Sequence, residues 1–144
     1  MLVRFFVIFL LCFALLRPDV SAAPAQEFVV VVHKDRQLGA VTAHDVRRMF
    51  LGKISKWPDG QRVLPVYNTK DGAHKGFSRS LLNKSAAQLK TYWRKRLFSG
   101  QSMMPYMADN SAEVVAYLTE HPNAISYLPL DAVVEPLKPL SVGK

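Results

Sequence analysis

The run Phe28-Val29-Val30-Val31-Val32 constrains the fold more than any other segment. Valine is stiff at χ1 and packs well on a pleated surface, so four in a row favour an extended backbone. An unbroken apolar run turns both faces of that strand towards apolar surroundings, as in a mostly parallel sheet. Such a chain must lay helices on both sides of the sheet. His33-Lys34-Asp35-Arg36 closes the run in polar residues.

Helical patterns supply those layers. Thr42 with Asp45 forms an N-cap pair, Val46, Met49 and Phe50 follow at helical spacing, and Gly52 is placed to stop a helix of two to three turns. Arg62 to Tyr67 reads as a second strand, which Pro65 weakens or moves to a sheet edge. Asn68 to Gly76 is a polar loop, and Phe77, Leu81 and Leu82 suggest a helix after it. Ser85-Ala86-Ala87-Gln88 has capping-box form and opens a helix over Ala86 to Phe98, with Leu89, Trp93 and Leu97 as its apolar stripe. Gln101 to Asp109 is a methionine-rich loop. Asn110 and Glu113 cap a helix carrying Val114, Val115 and Leu118, which ends at His121-Pro122. Ala124 to Leu128 is a third strand, and the tail after Pro129 shows little pattern. Strands alternating with helices predict an α/β layer structure, a small mostly parallel sheet flanked by helices.

The chain opens on a leader. Arg4 precedes the apolar run Phe5 to Leu16, and Val20-Ser21-Ala22 supplies small residues for cleavage after Ala22, with Ala25 as the alternative site. The run is short for a bilayer span, and a retained anchor is the competing reading. The expected organisation is a secretory signal over residues 1–22 and one domain over 23–144, with a periplasmic location and no transmembrane segment after cleavage. Cys12 leaves with the leader, so the mature chain has no disulfide and rests on its core. Removing Arg4, Arg17 and Asp19 lowers the net charge from +8 to +7. That charge suits anionic solutes, anionic envelope polymers or lipid headgroups, and nucleic acid, and export disfavours nucleic acid.

Four ordered segments resemble one family. They are Met49 to Ile54 followed by Trp57-Pro58-Asp59-Gly60; Val66 to Phe77 through Asp71-Gly72; Tyr92-Trp93 with Phe98-Ser99-Gly100; and Pro122 to Tyr127. Together they resemble the single-lobe relatives of phosphate ABC-transporter substrate-binding proteins, which have the type-2 periplasmic-binding-protein fold. The resemblance implies one lobe of a clamshell whose ligand normally lies between two lobes. It also implies a ligand loop at Thr69-Lys70-Asp71-Gly72-Ala73-His74-Lys75. Phosphate binders there read arginine, serine, aspartate, glycine, serine, glycine, threonine. Asp71 and Gly72 keep the pattern. Thr69 replaces the arginine that grips an oxyanion with two parallel hydrogen bonds. Ala73 and Lys75 replace hydroxyl residues, and His74 replaces a glycine and takes up room.

The backbone N–H groups of Ala73, His74 and Lys75 at a helix start, with Lys70, Lys75 and His74 nearby, make a weak oxyanion (phosphate) site the first functional expectation. The second is a protein-interaction or signalling module. Its cleft face, no longer covered by a second lobe, would bind an envelope protein or another copy of the chain, through Trp57, Met103, Met104 and Tyr106. A third is attachment to anionic lipid or polymer through Lys90, Arg94, Lys95 and Arg96. The methionine cluster also fits a soft-metal site, although core filling under a loop is the simpler account. His33, His44, His74 and His121 show no metal-ligand spacing. No nucleophile motif or carboxylate pair stands at a recognisable spacing, so the sequence presents no case for catalysis, metal or cofactor.

Overall fold

A computed structural model describes residues 28–101 and 104–143. The leader, its cleavage site and Met103 lie outside the described residues. A five-stranded sheet forms the centre, in the order β4-β3-β5-β1-β6. Its strands are β1 (Phe28–His33), β3 (Leu64–Asn68), β4 (Tyr106–Ala108), β5 (Ala124–Pro129) and β6 (Leu137–Pro139). Strands β3, β4 and β5 pair in parallel, and β1 runs antiparallel between β5 and β6. Four strands thus share one direction, and the sheet is the mostly parallel one expected. A separate parallel pair joins β2 (Val41–Thr42) to β7 (Val142–Gly143).

Helices α1 (Ala43–Phe50), α2 (Ala73–Ser80), α3 (Ala86–Phe98) and α4 (Ser111–Glu120) cover the sheet. Side chains alternate along each strand, so neighbours feed opposite layers. Val30, Val32, Tyr67, Ile125 and Tyr127 pack with α1, α2 and α3. Val31, Val66, Ala124 and Leu128 pack with Val114 and Leu118 of α4. The arrangement follows from crossover handedness. The chain moves one way from β3 to β4 and back across β3 to reach β5, and right-handed crossovers in opposite directions place their helices on opposite faces.

Local chemistry sets the helix starts. Thr42 and Asp45 make a reciprocal capping box on α1, as Ser85 and Gln88 do on α3. Asn110 caps α4 through a 2.9 Å bond from the Glu113 N–H. Gly52 ends α1 with a positive φ of 70°, which glycine alone adopts at no cost.

Several expectations change. Pro65 lies in an interior strand, not at a sheet edge. β4 begins pairing only at Val66, so the missing N–H of Pro65 falls where β3 has a neighbour on one side. The loop after β3 is shorter than its polarity suggests, because α2 already starts at Ala73. Leu97 leaves the apolar stripe and is 52% exposed, while Leu89 and Trp93 are buried. The methionine segment contains β4, and the tail supplies β6 and β7.

Candidate functional site

Strands β3 and β4 end side by side, and a helix begins beyond each. The register pairs Asn68 with Ala108, the last residues of the two strands. Past Asn68 the chain turns through residues 69–72 into α2. Past Ala108 it turns through Asp109 and Asn110 into α4. Two helix N-termini therefore converge where the strand order reverses. Open α/β sheets present their ligand crevice at such a point, outside the carboxyl ends of the strands.

Asn68 is fully buried at the mouth of this crevice. Its Nδ2 donates to Asp71 at 3.0 Å and to Ser111 at 3.3 Å. Ser111 Oγ also donates to the Asp71 carboxylate. These bonds, Ser111 first, hold the Asp71 carboxyl below its ordinary range. Asp71 is thus a fixed anion that ties the α2 start to the α4 start. Thr69 donates from both N–H and Oγ1 to the Ala108 carbonyl, at 2.9 and 3.0 Å, and pins the loop to β4. The Lys70 ammonium meets Asp109 at 2.8 Å in solvent, and this partner raises its pKa.

His74 is half-buried. Its Nδ1 lies 2.6 Å from the Tyr127 hydroxyl, and the two rings stack at 18°. Burial pushes the His74 pKa down, so the imidazole is neutral at pH 7. Tyr127 also accepts from the Asn68 N–H at 3.1 Å. The backbone N–H of His74 bonds the Asp71 carbonyl at 3.0 Å, closing the turn. Lys75 is exposed, Gly72 is the N-cap of α2 with no side-chain bond, and Ala73 is buried beneath the turn.

All seven loop residues expected from the sequence, Thr69 to Lys75, thus lie at one strand-to-helix junction. Their charges differ from expectation. His74 adds none at pH 7, Lys70 is opposed by Asp109, and Asp71 is ionised. Lys75 stands as the cation of the turn without an ion-pair partner among the described residues. Sequence reasoning missed Asn68, Ser111, Asp109 and Tyr127. Asn110 and Ser111 are legible as a helix start, but the Ser111 contact with Asp71 spans 40 residues and follows only from pairing β3 with β4.

Among the described residues, the expected partner set is split between core and surface. Trp57 is in the core, 2% exposed, with its indole N–H 2.8 Å from the Asn123 carbonyl and the Arg36 guanidinium 4.8 Å above the ring. Met104 and Tyr106 are exposed. Tyr106 stacks on Tyr117 with centroids 4.2 Å apart and donates to Glu113.

Known structures share this architecture. A phosphate ABC transporter substrate-binding protein with bound phosphate from Clostridium perfringens matches with a TM-score of 0.62 at 16% identity, over 80% of this chain and 44% of its own. An ABC-type phosphate transport receptor from Vibrio cholerae matches at 0.61 and 13%, over 80% and 45%. PstS from Borrelia burgdorferi matches at 0.59 and 16%, over 80% and 46%. The fold is that of one lobe of a phosphate-type substrate-binding protein. The chain spans less than half the length of these structures. No protein-family profile and no curated protein matches its sequence. Among the described residues no helix is long and apolar enough to cross a membrane, and no three His, Cys, Asp or Glu side chains gather as metal ligands.

Proposed function

We propose that the chain is an exported, non-catalytic solute-binding lobe that takes an oxyanion such as phosphate weakly at the Thr69 to Lys75 loop. The observation that carries this reading is the convergence of the α2 and α4 N-termini at the ends of β3 and β4. Each helix start directs partial positive charge towards the crevice. Likeness to a lobe of a phosphate-bound protein supports the same choice.

Weak binding follows from the charges. The Asp71 and Asp109 side chains oppose a further anion, and neutral His74 offers no compensation. Lys75 acts across solvent, where a unit charge contributes little and salt screens it. A millimolar dissociation constant, about 4 kcal/mol, is the expected scale.

Calorimetry with phosphate and sulfate at low salt tests the reading. Heat that saturates in the millimolar range, falls with added salt and drops in a Lys70→Ala, Lys75→Ala double variant supports it. No heat up to that range, with no response to the double variant, removes it.

A further inference from the structure

The fold leaves Leu97, Met104 and Met107 in water, exposed by 52%, 46% and 38%. These side chains are not scattered. All three line one groove of about 400 Å³, together with the buried Trp93 ring. Single exposed apolar residues are ordinary, but a contiguous set marks a binding surface. The volume suits a small organic molecule. Methionines repack around varied shapes, which fits such a wall.

Charge narrows the occupant. Lys90 and Arg94, one helical turn apart on α3, line the same groove. Both are exposed, and neither has an ion-pair partner among the described residues. No described acidic residue lines the groove. Thr69 and His74 of the strand-to-helix loop line the same groove. An inorganic oxyanion would use none of the apolar wall. A neutral apolar molecule would leave two cations unanswered.

We propose that this groove binds an amphiphilic organic anion, a small alkyl or aryl phosphate or carboxylate. Its charged head lies between the loop and the Lys90–Arg94 rim, and its apolar body covers Leu97, Met104 and Met107. The inference rests on the reading that the loop faces a ligand, and it names the ligand class as organic.

Calorimetry on the whole chain with hexyl phosphate, hexanoate, hexanol and inorganic phosphate tests it. Each buried methylene adds a factor of about four in affinity, so partial burial of a hexyl chain gives hexyl phosphate at least about a tenfold advantage over phosphate. Leu97→Ser with Met104→Ser removes most of that advantage and leaves phosphate unchanged. Lys90→Ala with Arg94→Ala weakens hexyl phosphate and hexanoate together, by about tenfold. These positions are exposed, and circular dichroism of each variant is the control for folding. Hexyl phosphate binding no more tightly than phosphate overturns this proposal and spares the oxyanion reading. Hexanol binding as tightly as hexyl phosphate overturns it as well. Binding of hexyl phosphate that responds to the groove variants, with no binding of phosphate, supports it and removes the oxyanion reading. Silence towards every compound overturns both. Retention of an acidic amphipathic peptide without any response to hexyl phosphate overturns it in favour of a protein partner.

Discussion

Burial of His74 beside Tyr127 ties the loop to the acid stability of the lobe. The neutral imidazole is favoured in the folded protein, so its folded pKa lies below the ordinary 6.5. The unfolded chain then binds more protons as pH falls, and folding loses stability. The His74 contribution is fully present above pH 6.5 and is lost as pH falls through the lowered folded value. Asp71 acts with the same sign further down, because its hydrogen bonds from Ser111 and Asn68 favour the carboxylate. Its contribution is present above about pH 4 and is lost in more acid solution. Urea titrations across pH 3 to 8 should therefore show a His74→Gln variant with a flatter slope just below neutrality, and an Asp71→Asn variant with a flatter slope below about pH 4. A parent slope retained below neutrality by His74→Gln removes this account. Trp57 gives a second prediction at this scale. Its indole N–H holds the Asn123 carbonyl, and Arg36 above it pairs with Asp59 at 3.0 Å. Trp57→Phe removes that bond, leaves the carbonyl only the Leu64 N–H at 3.4 Å, and should cost about 0.5–1.5 kcal/mol in a denaturant titration. An unchanged midpoint would mean that the bond contributes nothing.

Helix α1 ends in a way that accounts for the start of the Met49 to Ile54 segment. The last carbonyls of a helix lack partners within it. Here the Tyr67 hydroxyl donates to Phe50 O at 2.6 Å, and the Tyr92 hydroxyl donates to Leu51 O at 2.7 Å. Trp93 of α3 packs against Gly52, where an added Cβ would sit 3.2 Å from the ring. Gly52→Ala therefore meets both a positive φ and a crowded ring, and should cost about 1–3 kcal/mol in thermal unfolding. A neutral result would show that the α1–α3 junction yields easily. The motif thus joins two helices. Such features were legible where the determinant is local. The Ser85 capping box gave α3 its bounds, and Thr42 with Asp45 gave α1 its start, because each cap is written within four residues. Leu97 was misjudged because helical spacing reports which residues share a face but not how far the neighbouring layer extends. Strand β4 was hidden because three residues carry no period, and its pairing partner lies 40 positions away in sequence. The loop residues were legible by resemblance, but their charge balance depends on Asp109 and Tyr127, which only the tertiary fold brings near.

At the scale of the whole lobe, stability depends on the tail after Pro129, where the sequence shows least pattern. Strand β6 pairs with Val31, Val32 and His33 on the outer side of β1, and Leu137 is 5% exposed there within the α4 layer. Strand β7 returns to pair with β2 at the start of α1. The Lys138 ammonium donates to the Arg36 carbonyl at 2.8 Å, and the Leu140 N–H donates to Val30 at 2.8 Å. The tail therefore closes the sheet edge beside the most apolar strand of the chain. Without it, the valine run would present unpaired N–H and C=O groups, a template for edge-to-edge pairing between copies. Truncation after Val134 removes the burial of Leu137 and these backbone bonds together, and costs several kcal/mol on the scale of a lost core leucine. The expected result is a melting temperature lower by at least about 10 °C, with association that grows with concentration in light scattering. A truncated chain as stable and monomeric as the parent would show that β6 and β7 do not hold the lobe together.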